Sequence, residues 1–133
     1  MSGEVAYLDT SAFVKLVSSE PESAALRQAL LQWSRRASSV LLRVELVRTI
    51  RRANQRAMVA TALRQLRSVN LIRLDDAVLG RAAEIDPPEL RSLDAIHLAV
   101  ALSLGDELGA VVAYDERLVR AAQALGLQTA SPR

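Results

Sequence analysis

A chain of 133 residues, half of them hydrophobic and 24% charged, carries enough apolar material for one compact core and too little for a second, so a single domain is expected. With only Tyr7, Phe13, Trp33 and Tyr114 as aromatics, the core must be built from Leu, Val, Ile and Ala, which disfavours a base-stacking platform of the RRM or OB type. The absence of cysteine excludes disulfides, thiolate metal sites and thiol nucleophiles, and agrees with a reducing compartment.

Val5 to Leu8 reads as a short strand ending at Asp9, and Thr10 to Val17 as a helix. Ser19-Glu20-Pro21-Glu22 offers a capping box and an early proline, and the helical spacing of Ala25, Leu26, Ala29, Leu30 and Trp33 predicts a second helix ending near Arg35. Ala37 and Ser38 suit a brief strand, after which Ser39 caps a helix from Val40 to about Asn54. A fourth helix is expected from about Gln55 to Arg67. Val69 to Leu74 is a strand candidate, and Asp75 or Asp76 caps a helix through Ile85 that Pro87-Pro88 breaks. Ser92 caps a helix carrying Leu93, Ile96, Leu98, Val100, Ala101 and Leu102, apolar nearly all round and therefore buried. Gly105 to Gly109 form its exit loop. Ala110 to Tyr114 is a continuous apolar strand of the kind covered on both faces, followed by a helix from Glu116 to Leu125 and a closing strand near Gln128 to Ala130. Strands alternating with helices predict an α/β fold, a three-layer α/β/α sandwich with a short, mainly parallel central sheet. Ligands of such sheets bind beyond the carboxyl ends of the strands, where Asp9 and Asp115 fall.

The net charge of +2 conceals an asymmetry. From Ser23 to Leu74 eleven arginines accompany one acid, Glu45, so this stretch carries +10 and the remainder −8. One reading is a polyanion-facing surface beside a cation-binding pocket. The other is a solvated face in a protein that uses sixteen arginines and one lysine. The chain lacks a basic N-terminal stretch followed by an apolar one, and no apolar run approaches the ~18 residues of a membrane span. A soluble, cytoplasmic protein without membrane contact is expected.

Four acids stand out, three of them with ordinary explanations. Asp9 and Asp115 each precede a helix and can serve as N-caps, and Asp94, two residues after Ser92, can complement a helix dipole. Glu45 is expected in the middle of its helix, beyond the reach of capping, with Leu41 and Leu42 one turn before it. An acid in an apolar stripe requires a cationic partner, and Arg48, three residues on, is the simplest. Carboxylates gathered at one point repel each other unless a dication neutralises them. Oxygen ligands suit Mg²⁺ or Mn²⁺, and there is no His or Cys set for zinc. Such a centre activates water for phosphodiester hydrolysis.

Other chemistries are excluded by what is missing. His97 is the sole histidine, so a two-histidine acid-base mechanism is impossible; in an apolar helix it reads as a packed, hydrogen-bonded core residue, although it shares a face with Asp94. There is no nucleophile elbow and no Gly-rich phosphate loop. A receiver-like signalling domain lacks its late lysine, since Lys15 is the only one. A haloacid dehalogenase-type phosphatase lacks its second Asp in Asp9-Thr10-Ser11.

At Tyr7-Leu8-Asp9-Thr10-Ser11-Ala12-Phe13-Val14-Lys15-Leu16, Arg43-Val44-Glu45, Leu93-Asp94-Ala95-Ile96-His97-Leu98-Ala99 and Ala113-Tyr114-Asp115-Glu116-Arg117-Leu118, the chain resembles the PIN-domain ribonucleases, specifically the VapC toxins of toxin-antitoxin pairs. The four motifs span almost the whole chain. The resemblance implies a PIN fold and a Mg²⁺- or Mn²⁺-dependent endoribonuclease, with Asp9, Glu45, Asp94 and Asp115 as catalytic metal ligands and Ser11 as a hydroxyl steadying the first of them. It implies RNA as substrate, a cognate VapB-type antitoxin and a homodimer. Arg117 replaces a further acid found in some relatives, and Ala113 departs from the pattern where many carry Thr or Ser; the four intact acids argue against a non-catalytic PIN-like RNA-binding or assembly module, and Ala113 keeps that alternative open. Arg48, Arg51, Arg52 and Arg56, on or next to the helix of Glu45, are the expected phosphate contacts.

Overall fold

The computed structural model of the chain describes residues 3–133. Its centre is a five-stranded, all-parallel sheet in the order β3-β2-β1-β4-β5. The strands are β1 (Val5–Leu8), β2 (Arg35–Ser39), β3 (Asn70–Ile72), β4 (Leu108–Val112) and β5 (Thr129–Ala130). On one face lie α1 (Thr10–Val17), α2 (Ser23–Leu30), α3 (Leu42–Arg52) and α4 (Val59–Gln65); on the other lie α5 (Asp76–Ala83), α6 (Ser92–Ser103) and α7 (Glu116–Ala124). The two-residue period of β1 explains the division. Ala6 and Leu8 pack with Phe13, Leu26, Leu42 and Leu46, whereas Val5 and Tyr7 pack with Val78, Leu98 and Leu118. The expected three-layer sandwich is the fold observed.

The chain leaves β1 to build β2 and β3 on one side, then crosses back to place β4 on the other side of β1. The carboxyl ends of β1 and β4, paired through Leu8 and Val112, therefore lie at the switch point, where neighbouring connections diverge and leave a crevice. No helix among the described residues is long and apolar enough to cross a membrane.

Several boundaries differ from the sequence-based reading, each because tertiary contacts claim the backbone. Helix α2 starts at Ser23 without a Ser19 cap, because Lys15 pairs with Glu20 and Glu22 while the Ser23 hydroxyl accepts from the Glu20 N–H. It stops at Leu30, short of Trp33 and Arg35, because Arg35 to Ala37 must be extended to pair with Val5 to Tyr7. Helix α3 begins at Leu42; Ser39 belongs to β2 opposite Ile72, and its hydroxyl accepts only from the Leu41 N–H. Ser92 makes no side-chain cap on α6. Strand β4 runs from Leu108 to Val112, starting inside the expected exit loop, since its ladders end at Val112 opposite Leu8 and Ala130. The expected strand from Val69 to Leu74 pairs only over Asn70 to Ile72.

Candidate active site

Asp9, Glu45, Asp94 and Asp115 come from four separate elements and line one pocket of about 670 Å³ at the carboxyl ends of β1 and β4. Asp9 immediately follows β1, and its carboxylate accepts from the Ala12 N–H, so it caps α1 as its position before the helix foretold. The Ser11 hydroxyl lies 2.7 and 2.9 Å from the two Asp9 oxygens and also accepts from the Tyr114 N–H at 2.9 Å and the Asp115 N–H at 3.3 Å. One hydroxyl thus ties the first acid to the loop bearing the last. Ala113, the departure from the family pattern, is fully buried and packs in the core on the α6 face. Asp115 caps α7, accepting from the Arg117 and Leu118 N–H groups.

Glu45 corrects the sequence reading twice. It lies in the first turn of α3, since the helix starts at Leu42, where the helix dipole favours a carboxylate. Its partner is His97 rather than Arg48. The imidazole Nε2–H donates to Glu45 Oε1 at 2.7 Å, and the Thr10 hydroxyl donates to the same oxygen at 3.0 Å. Because a carboxylate only accepts, the imidazole proton belongs on Nε2, and Nδ1 then accepts from the Tyr7 hydroxyl at 2.7 Å. His97 is fully buried, as expected of a core histidine, and is also the group that orients an acid of the pocket. Spacing of three residues from Asp94 was its only signal.

The electrostatics of the acids diverge. Burial pushes Asp9 up to about 6, with Asp94 adding repulsion against the lowering pull of the Ser11 and Ala12 hydrogen bonds. Burial also raises Asp94, helped by Asp115 and opposed by Arg91. Burial alone would raise Glu45 too, but the His97 and Thr10 hydrogen bonds outweigh it and leave the carboxyl below its usual range. Arg91, which sequence reasoning passed over, donates from Nε to Asp94 and from Nη2 to Asp115, each at 3.1 Å. Its i, i+3 relation to Asp94 was visible, but such pairs are too common to single out.

In donor type and charge the four carboxylates fit a hard dication such as Mg²⁺ or Mn²⁺. In arrangement each is tethered by its own partner: Asp9 by Ser11, Glu45 by His97, Asp94 and Asp115 by Arg91. Among the described residues no three acid or histidine side chains converge as a ready-made ligand group. Of the expected phosphate contacts, Arg48 and Arg52 line the acidic pocket itself. They join Arg51, Asn54 and Arg56 around an adjoining cavity of about 350 Å³.

A family model described as the PIN domain matches residues 6–124. The chain is 45% identical over 126 residues to Ribonuclease VapC46 of Mycobacterium tuberculosis, covering 95% of this chain and 96% of that protein. It is 44% identical over 130 residues to Ribonuclease VapC47 of the same species, with the same coverage, 95% and 96%. Its backbone superposes on M. tuberculosis VapC20, a toxin that cleaves the sarcin-ricin loop, with a TM-score of 0.75 at 17% identity, covering 96% of this chain and 99% of that one. A toxin-antitoxin complex from Klebsiella pneumoniae gives 0.70 at 23% identity, with 96% and 98% covered. The chain therefore belongs to the PIN-domain family and, within it, to the VapC group that its four motifs resemble.

Proposed function

We propose that this chain is the toxin of a toxin-antitoxin pair, a cytoplasmic endoribonuclease that depends on Mg²⁺ or Mn²⁺ held by Asp9, Glu45, Asp94 and Asp115. The observation that carries the reading is the convergence on one crevice of four acids spread over more than a hundred positions, two of them, Asp9 and Asp94, buried. Carboxylates lining one pocket, two of them buried, are costly to keep ionised, which favours a cation among them over helix capping alone. The ribonuclease names of the VapC46 and VapC47 relatives point the same way.

When bound, the dication would supply an activated water for in-line attack and neutralise charge on the phosphate. The chain's own part is to hold the ligands still. Ser11 fixes Asp9 against the Asp115 loop, and the Tyr7-His97 relay holds Glu45 ionised in one orientation. Arg48, Arg51, Arg52 and Arg56 grip the RNA backbone beside the acids. Val44 and Leu93, 58% and 46% exposed, give the pocket an apolar rim suited to the antitoxin's inhibitory segment. A homodimer is part of this reading, and sedimentation of the purified chain tests it.

The deciding experiment is cleavage of single-stranded RNA by the purified, antitoxin-free chain in Mg²⁺. EDTA, Asp9→Asn and Asp94→Asn should each reduce cleavage to background while circular dichroism stays unchanged. Cleavage that survived them would reject the metal mechanism. Absence of cleavage by the native chain would favour the non-catalytic RNA-binding module.

A further inference from the structure

Among the described residues, Arg91 is the one cation in direct contact with two of the four acids. It occupies the residue before α6, and its planar guanidinium spans carboxylates from different elements, Nε to Asp94 Oδ2 and Nη2 to Asp115 Oδ2, both at 3.1 Å. The Arg91 side chain is nevertheless 65% exposed, so solvent screens the contact and the grip is easily given up. A dication drawing on Asp94 and Asp115 needs the place this positive charge holds, and the two cations repel.

The second observation is where the side chain can go. Arg91 and Asp115 line the acidic pocket and also a separate cavity of about 530 Å³, whose other lining residues are Glu116, Arg117 and Arg120. Arg91 stands in the wall between the two. Released from the acids, its guanidinium would share that cavity with Arg117 and Arg120, three arginines against two acids, a setting that suits a phosphate and is distinct from the Arg48 to Arg56 cavity.

We propose that Arg91 is a displaceable internal counter-ion, which holds Asp94 and Asp115 until a divalent cation takes them and then joins Arg117 and Arg120 in binding an RNA phosphate. The inference rests on the metal-dependent reading above and adds a coupling to it, because loading of the cation frees a substrate-binding group. By linkage, RNA held at Arg91 must tighten the cation in return.

The test begins with Mn²⁺ alone, titrated calorimetrically into the EDTA-stripped, antitoxin-free chain without RNA. Arg91→Gln should bind Mn²⁺ roughly fivefold or more tightly than the native chain, the lower end of ordinary coupling between sites. Arg91→Lys, whose ammonium cannot span both carboxylates, should fall between them. If the native chain binds Mn²⁺ and Arg91→Gln binds it no better, the counter-ion role is overturned and the metal reading stands. If neither binds Mn²⁺, both fall.

The phosphate role is read separately, in EDTA, with a labelled single-stranded RNA oligonucleotide. The double variant Asp94→Asn/Asp115→Asn removes both charges that hold Arg91 without any metal, and the amide oxygen that replaces the Asp115 carboxylate still caps α7. Adding Arg91→Gln should weaken RNA binding roughly fivefold or more in that background and less than about twofold in the native one. Equal losses in both backgrounds would overturn it.

Discussion

Ser11 offers one proton and two lone pairs, and all are used: the proton reaches Asp9, and the lone pairs take the N–H groups of Tyr114 and Asp115. Ser11→Ala leaves these backbone donors without their partner and lets the Asp9 carboxylate turn. Cleavage should fall about 10- to 100-fold, as is usual when a group orienting a metal ligand is lost. Stability should fall by about 1 kcal/mol, read from urea unfolding. Asp9 itself supplies a pH-dependent test. Its pKa is raised from 3.8 to about 6 by burial, so the folded protein prefers the neutral acid. Raising the pH through the interval from 3.8 to about 6 therefore costs folding free energy, and the cost is complete and constant above it. In EDTA, Asp9→Asn should gain stability relative to the native chain across that window and keep the gain at neutral pH; added Mg²⁺ should shrink it. Parallel unfolding midpoints over the window would contradict the burial effect.

At the scale of elements, the sheet depends on how closely β4 approaches the segments around it. A Cβ at Gly109 would lie 2.5 Å from the Gly3 carbonyl oxygen and 2.5 Å from the Trp33 indole, so only glycine fits between them. Gly109→Ala should destabilise the protein by about 1–3 kcal/mol through overpacking, measured by chemical denaturation, while cleavage per folded molecule persists. A neutral result would mean that the indole moves aside freely. The short start of α3 has a different consequence. By placing Glu45 in the first turn of α3, the fold brings this acid to His97 and Thr10, whose hydrogen bonds hold its carboxyl below the usual range while burial pushes Asp9 and Asp94 up.

Across the whole molecule, the division of charge answers an electrostatic difficulty: an acidic pocket repels the polyanion that it is to cut. The stretch with an excess of ten positive charges supplies α2 to α4 and lays Arg48, Arg51, Arg52 and Arg56 against the rim of the acids. RNA binding should weaken steeply with salt, and each Arg→Gln change at these four positions should lower the magnitude of the log-log slope by about one, in filter-binding titrations with EDTA present. A flat salt dependence would remove the backbone role from this face.

The alternation of strands and helices and the two-faced burial of the central strands were legible in the chain, because apolar period is a local property. So were Asp9 and Asp115 at their helix starts. The boundaries of α2, α3 and β4 were not, since they depend on which segments win sheet pairing, and the Val5 to Arg35 and Leu8 to Val112 partnerships join residues distant in sequence. The same distance hid the tethers. Nothing local links His97 to Glu45, 52 positions earlier, or Arg91 to Asp115, 24 positions later. The sequence by itself determined which groups carry charge and which elements carry the groups; only folding decided which charges meet, because meeting is a property of distance in space.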